Sequence, residues 1–487
     1  MKNRSFISVL ILAAILLGTV SCGDTGTAQT DTSAGNDTVT EAPEETKLSD
    51  TLGKNNYSGA DFNIYMPSQH DYEFSEEQTG ERVDDAEYAR DRKVEELLGV
   101  KLNYITEPGD WSGKDTFNGK IKQSVMAGDG EYDLVDGMIA VTNMIVPDGV
   151  FLNLMERDGL DFSDPWWAKD MDKNLSVAGK LYGICGAGLL SMYKSSYIMY
   201  YNQKLIDDFG LENPIELVLD GKWTLEKMLS MTKDITADLD SDGKYTENDR
   251  YGLALDNVNM RGFHSSLELP VISKDASGEL EYIGFTERFA NAVDTWVSLS
   301  GDKKMVWCTG GDGDERDIRI RMFKADQALF AGETILEVED FRDMASDFGM
   351  VPQPKYDESQ KNYHVQIGTG SGMYFIPKIV KNPEMTVDVM NAINCISMED
   401  VVPAYYEYAL KEKFMRDEKN KEVIDIINSS MMMDVNFAFA STMGVNSNTI
   451  YMEIVNNRSD PASTFEKSKK RFEAGIEKLT ETFEGLE

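Results

Sequence analysis

The densest set of residues able to do chemistry is Asp238-Leu-Asp240-Ser-Asp242-Gly243-Lys244-Tyr-Thr246-Glu-Asn-Asp249. It fits D-x-D-x-D-G with an acidic residue at loop position twelve, the spacing that wraps oxygens around a calcium ion. Asp238, Asp240 and Asp242 would supply carboxylates, Gly243 the sharp turn and Lys244 a backbone carbonyl. Thr246 would act directly or through water, and Asp249 would close the loop. Three carboxylates within five residues repel one another unless a cation neutralises them. Asp at position twelve replaces the usual bidentate Glu, so weaker affinity and poorer rejection of magnesium are expected. No helix pair flanks the loop, so the expected cofactor is a structural Ca2+ in a stand-alone loop. A solvated acidic turn is the alternative.

Other reactive groupings are sparse. His70, His264 and His364 are scattered, and no HExxH, GxSxG or Cys/His signature occurs. Gly368-Thr-Gly-Ser-Gly372 lacks the Lys-Ser/Thr ending of a phosphate-binding loop and is expected to be a flexible return loop. Cys185, Cys308 and Cys395 are too widely spaced to define a disulfide framework or a thiolate metal site. The 85 acidic residues could always supply a glycosidase-like carboxylate pair, so that class stays open on composition alone.

The elements that would position these residues follow in order. Lys2 and Arg4 precede an apolar run, Phe6 to Val20, that closes on Thr19-Val20-Ser21-Cys22. This is a secretory signal over 1–21, too short to span a bilayer, and the Cys after small residues is a lipidation site. Residues 22–56 comprise that Cys and a leash rich in Thr, Asp, Glu, Ala and Gly, which cannot bury enough surface to order itself. The folded part is expected from Tyr57. About 430 residues then remain, too many for one core, so two lobes are expected. A formal charge of −37 repels nucleic acid and anionic surfaces, which excludes both as partners.

Strands and helices alternate after Tyr57. Asp61 to Met66 alternates polar and apolar residues as a half-buried strand does. Asp84-Asp-Ala-Glu87 opens a helix that stops at Gly99, Val100 to Ile105 is a strand, and Ile121 to Met126 is a short helix. Tyr132 to Val135 is a third strand ending in Asp136-Gly137. This order implies a parallel α/β sheet. Farther on, Thr224 is placed to cap a helix with Trp223 stapled to Met228, and Ser463-Thr-Phe-Glu466 forms a capping box for a closing amphipathic helix.

One ordered set of segments resembles a known family. Ser196-Tyr-Ile-Met-Tyr-Tyr-Asn-Gln-Lys204, Phe209-Gly-Leu211, Pro214 and Trp223-Thr224 are similar to the hinge region of sugar-type extracellular solute-binding proteins. Gly80-Glu-Arg-Val-Asp-Asp-Ala-Glu-Tyr-Ala-Arg90 resembles the first-helix motif of the clostridial lipoprotein branch of that family. Gly179-Lys-Leu-Tyr-Gly183 and Phe348-Gly-Met-Val-Pro-Gln-Pro-Lys355 fall where the family pattern puts them. The resemblance implies the two-lobed α/β, periplasmic-binding-protein-like fold (type II), maltose-binding-protein-like, with a hinge between lobes. It implies an N-terminal lobe of 57–197 plus 327–375 and a C-terminal lobe of 198–326 plus 376–487.

The resemblance further implies the substrate-binding component of an ABC importer. It would be a monomer anchored by the Cys22 lipid outside a Gram-positive cell membrane, closing on a carbohydrate and docking on permease subunits. It would not be an enzyme; a secreted glycoside hydrolase or a surface sugar sensor are the alternatives.

A sugar site needs aromatic platforms and a polar rim. Ligands of such sheets bind beyond the carboxyl ends of strands, which selects Ser68, Gln69, Asp136 and Gly137. By the family's logic the crossovers offer Trp166, Trp167, Tyr193, Glu333 and Tyr374, with Trp307 as a platform from the second lobe. Plainer roles compete: Trp166 and Trp167 can cap a helix after Asp164-Pro165, and Asp136 can cap the helix that follows it.

Overall fold

The computed structural model describes residues 47–486 except 54, 257–259, 302–305, 310–313, 411–416 and 458. The expected signal, Cys22 and the leash up to residue 46 lie outside the described residues. The chain packs ten residues before Tyr57. Leu48–Thr51 forms one helical turn, with the Ser49 N–H and hydroxyl donating to Glu399 at 3.1 and 2.7 Å and Lys47 reaching Asp400. Among the described residues no helix is long and apolar enough to cross a membrane.

The alternation in Asp61–Met66 produces the first strand, β1 (Ala60–Pro67), which buries Phe62, Ile64, Tyr65 and Met66. Helix α1 (Arg82–Leu98) starts before the expected Asp84. Asp85 in its first turn accepts the N–H groups of Thr79 and Gly80, which orders the approach to the helix and lengthens it. Gly99, at φ 62°, stops it as expected. Strand β2 (Val100–Glu107), helix α2 (Lys114–Ala127) and strand β3 (Leu134–Met138) complete the first unit. β1 pairs in parallel with both β2 and β3, as strand–helix–strand spacing requires.

The later strands are β4 (Tyr197–Asn202), β5 (Tyr251–Asp256), β6 (Val306–Thr309), β7 (Ala328–Thr334), β8 (Phe348–Pro352) and β9 (Gly372–Phe375). Two main sheets result, one ordered β9-β3-β1-β2 and the other β8-β4-β7-β5-β6. β9 returns antiparallel onto β3, pairing Tyr374 with Asp136 and Met373 with Gly137. That pairing extends β3 past its expected end, so Asp136 and Gly137 lie within the strand and not after it. β4 is antiparallel to β7 and β8, whereas β5 is parallel to β7 and β6.

The expected return to the first lobe at residue 327 is displaced. β7 and β8 both pair with β4, so 328–352 belongs to the second sheet, and only β9 rejoins the first. The chain crosses between sheets where Ser195 and Ser196 run beside Ile367 and Gly368. The Gly368 N–H donates to the Ser195 carbonyl at 3.0 Å. A Cβ on Gly368 would stand 2.5 Å from that carbonyl oxygen, so a side chain here would wedge the crossing apart. The stretch expected to be a flexible return loop is therefore packed at this end.

Helices divide in the same way. α3 (Pro214–Leu219) and α4 (Leu225–Thr232) flank the second sheet, and Thr224 caps α4 by accepting the Lys227 N–H at 3.2 Å. Trp223 is fully buried against Phe330 and donates its indole N–H to the Pro352 carbonyl at 2.8 Å. Truncating such a side chain costs roughly 3–5 kcal/mol. α5 (Pro383–Ile396) and α6 (Val402–Ala409) pack on α1, whereas the resemblance implies that 376–487 belongs to the second lobe. α7 (Glu418–Ser429) then crosses to α3 and β8. The closing helix α8 (Pro461–Gly485) is capped by Asp460, not by Ser463, because Pro461 takes the first helical position. Its Phe465, Phe472, Leu479 and Phe483 are buried as the spacing requires.

Candidate functional site

A cavity of about 1320 Å³ opens between elements that belong to different sheets. One wall is the segment 160–173 with Tyr193 and α6, all on the first sheet's side. Facing it are Lys421, Ile424, Asp425 and Asn428 on α7, which packs against the second sheet. The segment carrying Trp166 and Trp167 is held extended: the Ala187 N–H donates to the Trp166 carbonyl at 2.8 Å and the Ala168 N–H to the Cys185 carbonyl at 3.0 Å. Both indoles line the cavity, and neither Nε1 has a hydrogen-bond partner. Trp167 does donate its backbone N–H to Asp164, but no helix begins there, so the capping role falls away.

Tyr193 meets Tyr406 edge to face at 6.4 Å, and the Tyr406 hydroxyl donates to Asn428 Oδ1 at 2.7 Å. That bond ties the two walls together. Six carboxylates and three lysines ring the same space. Burial pushes the carboxyls of Asp164 and Asp425 upward, each helped by a neighbouring acid, Asp161 and Glu422. Aromatic faces beneath acceptor-rich polar groups suit a ligand with apolar C–H surfaces and many hydroxyls.

The other residues selected from the sequence fall elsewhere. Ser68 and Gln69 lie at the carboxyl end of β1, with Gln69 exposed and its Oε1 accepting the Gly109 N–H at 3.0 Å. Asp136 and Tyr374 are buried beneath that surface, bordering a void of about 20 Å³. Gly137 packs so tightly on Thr142 that a Cβ would come within 2.1 Å of its Oγ1. Glu333 is buried with its Oε1 2.8 Å from Arg319 Nε, an ion pair inside the second lobe and not a cleft contact. Trp307 is in β6, but its side chain lies outside the described residues. The structure thus unites Trp166, Trp167 and Tyr193 and separates the rest from them.

Two features escaped the sequence reading. Tyr406, Asp425 and Asn428 come from helices after the second crossing, and no local motif marks them. Trp111 is 59% exposed in the loop after β2, with the Lys114 ammonium 4.9 Å from its ring centre. Applying the strand-end rule to β2 as well as to β1 and β3 would have found it.

Two α/β lobes around separate sheets, joined by adjacent crossing segments, define the type II fold of the periplasmic binding proteins. Solved structures of that fold superpose over nearly their whole length. A cyclo/maltodextrin-binding protein complexed with maltotetraose matches with a TM-score of 0.58 and 14% identity, covering 86% of this chain and 98% of that one. An ABC substrate-binding protein from Listeria monocytogenes in complex with cycloalternan gives 0.52 and 14%, over 86% and 99%. The maltose/maltodextrin-binding domain from Bdellovibrio bacteriovorus bound to maltotriose gives 0.51 and 15%, over 86% and 100%. No protein-family model and no curated protein matches this chain. At these identities the likeness is one of fold.

Proposed function

We propose that this chain is the carbohydrate-capturing component of an ABC importer, anchored outside the cell by a lipid on Cys22, and that it releases its guest chemically unchanged. The observation that carries the reading is the cavity walled by Trp166, Trp167, Tyr193 and Tyr406 between elements of the two lobes. Its volume exceeds the ~300–1,000 Å³ of ordinary small-molecule pockets, which favours an oligosaccharide over a single sugar. A guest touching both walls stabilises the closed form, and a permease reads that form. The solved structures of this fold that hold maltotetraose, cycloalternan and maltotriose support the ligand class. Calorimetry of residues 47–487 against a panel of neutral oligosaccharides, beside a reducing-sugar assay, tests it. Reversible binding without product is expected; turnover would make the chain a glycoside hydrolase instead.

A structural calcium ion in the 238–249 loop belongs to the same proposal. Carboxylate oxygens of Asp238, Asp240 and Asp249 come within 4.8 Å of one another, and Asp238 Oδ1 is shielded without a partner. Asp249 also accepts the N–H groups of Leu239 and Thr246, so the loop's closing residue is already set. Asp242 turns to the Lys244 N–H and would have to rotate to become a ligand. These oxygens fit a hard cation. Melting with and without chelator tests the site: calcium at 100 times its Kd would add about 2.7 kcal/mol, a rise of a few degrees.

A further inference from the structure

Three side chains not used by the sugar cavity converge beneath the carboxyl end of the first sheet. His70 and Glu73, in the turn after β1, and Asp136 on β3 are 3%, 5% and 2% exposed. One nitrogen or oxygen from each lies within 4.8 Å of the other two. His70 Nε2 is 3.1 Å from the Gly370 carbonyl. A carbonyl can only accept, so Nε2 carries the proton and Nδ1 presents its lone pair. Nδ1 has no partner and faces Asp136 Oδ2 across 3.8 Å. No N–H group and no Ser, Thr or Tyr hydroxyl donates to either oxygen of Asp136, and its polar neighbour within hydrogen-bond reach is the Glu73 carboxyl. A second proton on the ring would not cure this, because 3.8 Å is too long for a hydrogen bond.

Acceptors facing each other out of reach of water are costly unless something positive lies between them. The nearest guanidinium does not fill that role: Arg90 gives Nε to Asp91 at 2.8 Å and Nη2 to the Glu73 carbonyl. Glu73 uses Oε1 to accept the Ser191 N–H at 2.9 Å, and burial together with Asp136 pushes its carboxyl well above the usual range. The void of about 20 Å³ borders Glu73 and Asp136 and has room for roughly one water.

We propose that His70 Nδ1, Glu73 and Asp136 bind a divalent transition-metal ion, zinc being the one their chemistry fits best, with water from the adjacent void as fourth ligand. One imidazole, two carboxylates and a water make a tetrahedral set familiar for zinc. Calcium and magnesium want oxygen throughout. The Nε2–H to carbonyl bond is the outer contact that orients ligating imidazoles. Two carboxylates balance the ion's charge, so the buried site becomes neutral. Drawing atoms up to 4.8 Å apart onto bonds of about 2.0–2.2 Å needs an inward shift of the order of 1 Å. The ion would pin the 68–73 turn to β3 and to the loop at Gly370.

The test uses the full folded chain, stripped with chelator and then saturated with calcium so that the acidic loop is occupied. Zinc titrated by calorimetry should bind one equivalent and raise the melting temperature. His70→Asn and Asp136→Asn should each lose that equivalent. Crystals soaked in zinc should show an anomalous peak among the three side chains, a readout that needs no variant. No uptake by the calcium-loaded protein, or an anomalous peak elsewhere, overturns the proposal. It would leave the pair of carboxylates sharing one proton as the explanation of the cluster.

Discussion

The large cavity between the lobes and the charged cluster under the first sheet are built from opposite materials. The cavity is roomy and aromatic, and its charges stand at the rim. The cluster buries Arg90, Asp91, Glu87, Glu73, Asp136 and His70, and three of them, Glu73, Arg90 and Asp136, border a space for one water. Aromatic walls without internal charge can accept a guest because nothing must be neutralised when they are covered. Such a cluster admits no guest larger than an ion, but removing one member of its Arg90–Asp91 pair leaves the other with an unbalanced desolvation cost.

Variants can break that contrast, beginning with the largest effect. Arg90→Ala leaves Asp91 buried without its counter-charge and should cost about 3–5 kcal/mol in urea unfolding. Glu87→Gln acts in the opposite direction. Burial pushes the Glu87 carboxyl up to about 8. The unfolded chain loses this proton near pH 4.5, whereas the folded chain keeps it. The contribution to stability is therefore full below pH 4.5 and is lost as pH rises through about 8. The Gln variant should lack that decline and be more stable than the natural chain at pH 8 by roughly 2–4 kcal/mol, with the difference vanishing near pH 4.

Smaller effects distinguish the two candidate sugar surfaces. Trp166→Ala should weaken oligosaccharide binding about tenfold, or ~1.4 kcal/mol, while Trp111→Ala should leave both binding and melting unchanged. The reverse result would move the site to the strand ends. Tyr406→Phe removes the bond to Asn428 that joins the two walls and should shift affinity a few-fold, by ~0.5–1.5 kcal/mol, seen by calorimetry.

What could be read from the chain alone follows from how local each signal is. The strand–helix–strand start, the stop at Gly99 and the cap at Thr224 depend on neighbours within a few residues, and each appears where the sequence put it. The resemblance of the 196–224 stretch pointed to two lobes, and the fold agrees. The crossing at 327 and the lobe of α5 were misjudged because both are decided by pairing with distant partners: β7 on β4, and α5 on α1. Trp166, Trp167 and Tyr193 stand out in the sequence as aromatics near a crossover, and the structure brings them to one cavity. Asp136 was singled out, but its depth could not be foreseen. It is covered by β9, more than 230 residues later in the chain.

That late strand has a kinetic consequence. The first sheet cannot be completed until Gly372–Phe375 arrives, after the entire second sheet has been made. Contacts this remote in sequence slow folding, because a long loop must be closed before any reward is gained. A nascent chain halted short of residue 372 would leave the edge of β3 bare and Asp136 wet. The protein should consequently gain its native state only after synthesis has passed most of its length, a delay that keeps the polypeptide pliable in the interval.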